Sequence, residues 1–537
     1  MSHPAVDTQA THRVSVREAV LQLLRSFGMT TVFGNPGSTE LPLFLGFPGD
    51  FRYLLGLQES VVVGMADGYA QATRNAAFVN LHSAAGVGHA MGNIFTAYKN
   101  RTPLVITAGQ QARSILPFEP FLFSKQAAEL PRPYVKWSVE PARAEDVPHA
   151  IARAYYIAMQ PPRGPVLVSI PADDWTAMTE PVAPRLVSQE LRPDPAVLQK
   201  IADSLNACRK PAFVVGAAVD RDGAWNQLLQ LAERHDARVF VAPMSGRCGF
   251  PEDHRLFSGF LPAMRERIVE RLAEHDLVFA VGAAAFTYHV EGSGPHLAPG
   301  TELVQLIDDP DTAAWAPIGT SVVSSIRLGL VDLLALAAPV ERGTSRALVR
   351  AERPPAPSPG GRMSAAFVLR MVAELRDPRS IVVEEAPSMR PAMQAHLPIL
   401  HSETFYTMCS GGLGHGLPAA VGVALAKPEA RVIAIIGDGS AMYSIQALWT
   451  AAQHALPMVF IVMKNRRYAA LQDFSSVFGY APGEPVAGTE LPELDFVALA
   501  KGQGIAALSV SEPGSLQDAL TKAFAARQPV LIEVEVA

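Results

Sequence analysis

Arg431-Val432-Ile433-Ala434-Ile435-Ile436-Gly437-Asp438-Gly439-Ser440 is the stretch whose reading decides the fold. An unbroken, largely β-branched apolar run reads as a strand covered on both faces, the kind found in parallel sheets. At its carboxyl end two glycines flank one carboxylate, so backbone N–H groups can approach an anion closely. A helix-like stretch over residues 444–456 follows, then Pro457, a second apolar strand Met458-Val459-Phe460-Ile461-Val462-Met463, and Lys464-Asn465. This is one βαβ unit. If its strands are neighbours, Asp438 and Asn465 emerge on the same edge and offer two hard oxygen ligands. Magnesium prefers that arrangement, completing its octahedron with phosphate oxygens, a carbonyl and water. Gly437-Asp438-Gly439 by itself reads equally well as a tight loop whose Asp caps a helix. The asparagine at the end of the next strand makes the spacing far more specific.

The same alternation of short β-branched runs with longer helical patterns extends outward, as at Ala77-Phe78-Val79-Asn80-Leu81 and Pro211-Ala212-Phe213-Val214-Val215. It predicts parallel sheets covered by helices, with ligands gathering beyond the carboxyl ends of the strands. Two proline-rich stretches, Glu180-Pro181-Val182-Ala183-Pro184 and the run from Arg353-Pro354-Pro355 to Pro359-Gly360-Gly361, read as linkers. They divide the chain into units at 1–183, 184–350 and 363–537. The fold class expected is α/β, with three doubly wound parallel-sheet domains, and 537 residues leave room for three cores.

A net charge of −6 gives no general electrostatic footprint for nucleic acid, and none is expected as a partner. With 49% hydrophobic and 18% charged residues the chain has ample apolar surface to bury. Cys208, Cys248 and Cys409 are odd in number and far apart, which argues against a disulfide framework or a CxxC metal site. The polar start, residues 1–13, has no apolar core of a leader, and the clean apolar runs are strand-sized. A cytoplasmic protein with no membrane partner is the expectation.

In the first unit Ser38, Glu59 and His82 each follow a strand-like run. Singly they read as an N-cap, an acidic first-turn residue and a strand-end histidine. Jointly, on one predicted edge, they read as a site. Farther on, Gly411-Gly412-Leu413-Gly414-His415-Gly416-Leu417-Pro418-Ala419 superficially fits a dinucleotide fingerprint. Phe405 to Ser410 is a poor buried strand, however, and Pro418 sits where the phosphate-binding turn should open a helix.

The pairing of Gly437-Asp438-Gly439 with Asn465 resembles the thiamine-diphosphate motif. Thr31-Val32-Phe33-Gly34-Asn35-Pro36-Gly37-Ser38, Asn80-Leu81-His82-Ser83-Ala84-Ala85-Gly86, Thr107-Ala108-Gly109-Gln110-Gln111 and Leu130-Pro131-Arg132-Pro133-Tyr134-Val135-Lys136-Trp137 resemble the benzoylformate decarboxylase family, as do Phe286-Thr287-Tyr288-His289 and Ala447-Leu448-Trp449-Thr450-Ala451-Ala452-Gln453. The likeness covers nearly the whole chain. It implies thiamine diphosphate with magnesium (calcium as a substitute), and non-oxidative decarboxylation of an aromatic 2-oxo acid, benzoylformate giving benzaldehyde and CO2. Glu59 is then the carboxylate for N1' of the cofactor pyrimidine, Ser38 binds the substrate carboxylate, and His82 and His289 transfer protons. Asp438, Asn465 and the main-chain carbonyl of Arg467 are the implied metal ligands. Gly437, Gly439, Ser440 and Tyr468 line the cofactor, Gly411 offers its carbonyl to the 4'-amino group, and Leu413 wedges the two rings. An apolar wall of Leu122, Ala470, Leu471 and Phe474 is expected, although these four also read as plain core.

The resemblance further implies a homodimer as the minimum and a tetramer as the working assembly. The central unit, nucleotide-binding in some relatives, is expected to bind none. Three features depart from the family pattern. Lys464 replaces the first asparagine of the motif, the run after the glutamate in Glu385-Ala386-Pro387-Ser388-Met389-Arg390 stands where the family carries a hydroxyl-rich one, and Arg466-Arg467 is a basic pair. The rival readings are a carboligase resembling acetohydroxyacid synthase and a catalytically silent binding protein. The two histidines favour decarboxylation.

Overall fold

The computed structural model describes residues 13–340, 342, 351–358 and 361–537. Most of the polar start (residues 1–12), the end of the expected central unit (343–350) and two residues of the second proline-rich stretch (359–360) lie outside them. Three six-stranded sheets, each wholly parallel and flanked by helices, form the structure. By contacts the chain separates into two compact units, residues 1–188 with one sheet and residues 189–537 with two. Among the described residues no helix is long and apolar enough to cross a membrane, and all three cysteines are free.

The first unit opens with β1 (Val14–Ser15), followed by β2 (Thr31–Gly34), β3 (Arg52–Leu55), β4 (Ala77–Leu81), β5 (Leu104–Gln110), β6 (Ser138–Val139), β7 (Pro165–Pro171) and β8 (Met178–Thr179). β1 and β8 form a short antiparallel ladder, and the main sheet has the order β3-β2-β4-β5-β7-β6. Every residue of β4, β5 and β7 is buried, as continuous apolar strands covered on both faces must be. The chain leaves β2 toward one side and β4 toward the other, so the crevice between these two strands is the topological switch point where ligands collect. Gly34 is level with Leu55 of β3 and Asn80 of β4, which brings three strand ends to one line.

In the second unit the central sheet comprises β9 (Pro211–Val215), β10 (Arg238–Val241), β11 (Phe257–Phe260), β12 (Leu277–Val281), β13 (Glu302–Ile307) and β14 (Thr320–Val323), in the order β11-β10-β9-β12-β13-β14. Its switch point lies between β9 and β12. There Gly216 packs so closely on the Gly282 carbonyl (2.5 Å from where a Cβ would stand) and on Ala283 that the two loops close on each other. The last sheet comprises β15 (Ile381–Glu385), β16 (Phe405–Thr407), β17 (Val432–Gly437), β18 (Met458–Lys464), β19 (Ala506–Val510) and β20 (Val530–Glu535), in the order β16-β15-β17-β18-β20-β19. Its switch point falls between β15 and β17.

Three local expectations need correction. Phe405–Thr407 is a strand after all, with all three residues buried, because it adds to the edge of β15 and needs no length of its own. Pro418 does not prevent a helix: Gly416–Ala426 is helical and Pro418 lies in its first turn, where its missing N–H costs nothing. The stretch over residues 444–456 is helical only at Ala447–Gln453, and a separate short helix, Asp438–Met442, precedes it where a loop was expected.

Buried polar contacts join the central sheet's loops to the last sheet. Arg247 Nε donates to Asp220 Oδ2 (2.8 Å), and the Glu403 N–H donates to Asp220 Oδ1 (2.9 Å). The Ile399 N–H donates to Glu252 Oε2 (2.9 Å). Burial pushes the Glu252 carboxyl up to about 8, against the opposing effects of the Ile399 amide, Cys248 and Arg376. Folded Glu252 therefore keeps its proton where the unfolded chain, titrating near 4.5, has lost it. Its contribution is fully present below that value and is lost as pH rises toward 8. Glu252→Gln should remove this decline: urea unfolding at pH 5, 6, 7 and 8 is expected to show a flatter stability profile than wild type. Parallel profiles would contradict the assignment.

Candidate active site

The edge of the first sheet is organised by a residue that the sequence reading did not single out. Beyond β2 the chain turns through Gly37 into a 3-10 turn, Ser38–Glu40, whose last residue folds back beneath it. The Glu40 side chain, 1% exposed, accepts the Gly37 N–H (2.8 Å) and the Thr39 hydroxyl (2.7 Å). His82, at the end of β4, places Nδ1 at 2.8 Å from Glu40 Oε2 and 3.1 Å from Thr39 Oγ1. The carboxylate can only accept, so Nδ1 carries the proton and Nε2 is left for other work. Gly37 must be glycine here, because a Cβ would overlap the His82 ring. Ser38 is exposed at the same loop, so β2 and β4 bring Ser38 and His82 together across the switch point. The available signal was a glutamate three residues after Gly37, the spacing of a side chain that caps its own turn.

Glu59 begins the helix Glu59–Thr73, one strand farther along the edge, after β3. It is 13% exposed, and its Oε2 lies 3.1 Å from Nδ1 of His89 in the helix Ser83–Asn100. Leu122 is half-buried in the same unit, in the left-handed region (φ 63°).

In the second unit Asp438 and Asn465 do share an edge. Gly437 is level with Met463, so Asp438 follows β17 where Lys464 and Asn465 follow on β18. Asp438 is buried; its Oδ1 accepts the Gly439 N–H (2.8 Å) and its Oδ2 the Arg466 N–H (2.6 Å). Burial pushes its pKa up, opposed by the amides of Arg466, Gly439 and Asn465. A nearby cation would relieve that cost. Asn465 Oδ1 accepts the Arg467 N–H (3.2 Å), and Arg466 takes a left-handed conformation (φ 63°) that turns the chain there. Tyr468 lies against Gly439 where any Cβ would stand, and Ser440 is buried beside them. This set of a carboxylate, an amide oxygen and main-chain carbonyls, over a bare glycine, has the chemistry to hold a divalent cation and a diphosphate.

Across this switch point Glu385, at the end of β15, is a second unforeseen clamp. Fully buried, it accepts the N–H groups of Gly414 (2.7 Å), His415 (2.8 Å) and Gly416, and so holds the inner half of the glycine cluster. Burial drives its pKa up, and the amides oppose this. Gly411 and Leu413 lie at the mouth of that loop, exposed and half-buried respectively.

The remaining expected residues are spread more loosely. His289 is exposed and stacks on Phe474 (centroids 4.7 Å apart, planes within 16°), so Phe474 is a platform for that histidine as much as a wall. Ala470 and Leu471 share its helix, Ala469–Phe474, and Leu471 is 56% exposed rather than core.

Lys464 points away from this edge. Its Nζ lies 3.1 Å from Glu533 Oε2 and 3.6 Å from Glu535 Oε1 on β20, while Arg466 also pairs with Glu535 (2.8 Å). The departure from the family motif is thus a buried ion pair between neighbouring strands. Lys464→Met removes the cation hydrogen-bonded to buried Glu533. It is expected to cost about 3 kcal/mol or more in urea unfolding, with Glu533→Gln added to it restoring most of the loss. A single variant as stable as wild type would contradict this account.

Comparison with known proteins bears on what this edge does. Three family models match: the thiamine pyrophosphate enzyme N-terminal TPP binding domain at residues 14–128, the central domain at 198–333, and the C-terminal TPP binding domain at 388–534. The chain is 46% identical to benzoylformate decarboxylase of Pseudomonas aeruginosa, over 97% of this chain and 98% of that one. It is 26% identical to the acetolactate synthase large subunit of Haemophilus influenzae, over 98% and 95%. Among solved structures, benzoylformate decarboxylase from Polynucleobacter necessarius matches with a TM-score of 0.94 at 39% identity, covering 97% of this chain and 98% of that one. The thiamine diphosphate-dependent 4-hydroxybenzoylformate decarboxylase of Rhodococcus jostii RHA1 matches at 0.93 and 41%, covering 97% and 99%. Glycine loops, clamping carboxylates and these likenesses converge: the chain belongs to the thiamine pyrophosphate enzymes and is a thiamine-diphosphate-dependent 2-oxo acid decarboxylase of the benzoylformate decarboxylase type.

Proposed function

We propose that the protein decarboxylates an aromatic 2-oxo acid, benzoylformate first among them, to the aldehyde and CO2, using magnesium to hold thiamine diphosphate. The observation that carries the reading is the first sheet's edge, where the turn bearing exposed Ser38 packs through Gly37 on a histidine whose Nδ1 is held by Glu40. Thiamine diphosphate supplies, when bound, the carbon nucleophile and the electron sink for the departing CO2.

The chain's own groups do the rest. Asp438, Asn465 and the Arg467 carbonyl hold the magnesium, with calcium as a substitute. Gly437, Gly439, Ser440 and Tyr468 bound the diphosphate, Gly411 and Leu413 orient the rings, and Glu59 faces N1' of the pyrimidine. The Ser38 hydroxyl donates to the substrate carboxylate. With its Nδ1–H held on Glu40, the doubly protonated His82 ring gives its Nε2 proton to the ketone oxygen as charge develops there and is left neutral, and His289, on its Phe474 platform, serves the proton transfer that frees the product. Leu122, Ala470, Leu471 and Phe474 offer the phenyl ring an apolar wall. The working form is a homodimer at least, and a tetramer in the full assembly.

Purified protein with magnesium and thiamine diphosphate is expected to release CO2 and aldehyde from benzoylformate or 4-hydroxybenzoylformate. Turnover confined to aliphatic 2-oxo acids, or 2-hydroxy ketones as sole products, would overturn the assignment in favour of the carboligase. Glu40→Gln should lower kcat by about a hundredfold through misorientation of His82, with KM nearly unchanged. Wild-type turnover in that variant would remove Glu40 from its role.

A further inference from the structure

The helices Glu59–Thr73 and Ser83–Asn100 follow β3 and β4, so their first turns share the site edge. Their register is fixed by a ladder of polar contacts along one face of the second helix. Asn100 Nδ2 donates to Asp67 Oδ2 (2.8 Å), and Asn93 Nδ2 donates to the Ser60 carbonyl (2.7 Å) and hydroxyl (3.0 Å). Both asparagines are buried, and four residues before Asn93 the same face presents His89. His89 Nδ1 meets Glu59 Oε2 at 3.1 Å. The second carboxylate oxygen, Oε1, lies over Gly86, 3.5 Å from where a Cβ would stand. The pairing is therefore the outermost rung of a ladder whose inner rungs are rigid.

His89 itself is 63% exposed. An ion pair so open to solvent adds little to stability, so what it can determine is the direction in which the Glu59 carboxylate points. We propose that His89 is a positioning residue for Glu59: its Nδ1–H occupies Oε2, which leaves Oε1 to face the cofactor pyrimidine. This rests on the reading that Glu59 serves N1', and the test separates the two. A carboxylate free to rotate would spend part of its time turned away from its partner, so losing this hydrogen bond lowers the fraction of enzyme ready to react.

The holoenzymes of wild type, His89→Leu, His89→Gln and Glu59→Gln are compared by three readouts. These are the rate of C2 hydrogen–deuterium exchange of bound thiamine diphosphate by quenched NMR, thiamine diphosphate affinity by calorimetry with magnesium present, and kcat and KM on benzoylformate. Leucine should slow exchange and kcat by about tenfold, the size of one charge-assisted hydrogen bond. Melting temperature and KM should barely move. Glutamine, whose amide can donate to the same oxygen, should recover most of that loss. If leucine lowers the melting temperature, His89→Ala takes its place in the comparison. Wild-type exchange in the leucine variant, or glutamine as slow as leucine, would overturn the proposal while leaving Glu59 in place, provided Glu59→Gln slows exchange by about a hundredfold or more. Unchanged exchange in Glu59→Gln would overturn the reading on which the proposal rests, and the proposal with it.

Discussion

A buried carboxylate that accepts backbone N–H groups closes each sheet edge bearing the site, and the rest of the arrangement depends on it. Glu40 holds Gly37, Glu385 holds Gly414 to Gly416, and Asp438 holds Gly439 and Arg466. Burying a carboxylate is costly unless hydrogen bonds replace its water. Loop amides beyond a parallel strand have no ladder partner and must bond to something. Each need answers the other, and the result is a rigid loop where an ordinary strand end would be mobile.

That rigidity is what the chemistry requires. The proton transfer proposed for His82 needs Nε2 free and one ring orientation, and both follow from Glu40 holding Nδ1 at 2.8 Å. The glycine cluster carrying Gly411 and Leu413 has no regular secondary structure until Gly416, and Glu385 fixes its inner end, while the Gly412 N–H donates to Ser410 Oγ (3.0 Å). The central sheet provides a contrast. Its switch point is closed by Gly216 against Gly282 and Ala283, and its buried Asp220 and Glu252 brace the last sheet.

The fold and the shared edge of Asp438 and Asn465 in the candidate site were legible in the sequence for the same reason: both lie in local periodicity. Continuous apolar strands and the spacing from Asp438 to Asn465 announce a parallel sheet and its carboxyl edge. What the sequence did not reveal depends on contacts distant along the chain. Glu40 meets His82 across 42 positions and Glu385 meets Gly416 across 31, separations at which no periodicity links the partners. Lys464 looked like damage to the motif because its neighbours were out of view. Strand register places Glu533 and Glu535 beside it and turns it into a buried pair.

The central claim is that the carboxylate clamps hold these loops before any cofactor arrives. Hydrogen–deuterium exchange of the apoprotein, stripped of metal and cofactor, tests it directly at the amides of Gly37, Gly414, His415, Gly416 and Arg466. Strong protection of these amides in the apoprotein, little changed by adding thiamine diphosphate and magnesium, is the predicted result. Exchange as fast as in an exposed loop, with protection appearing only when the cofactor binds, would contradict it.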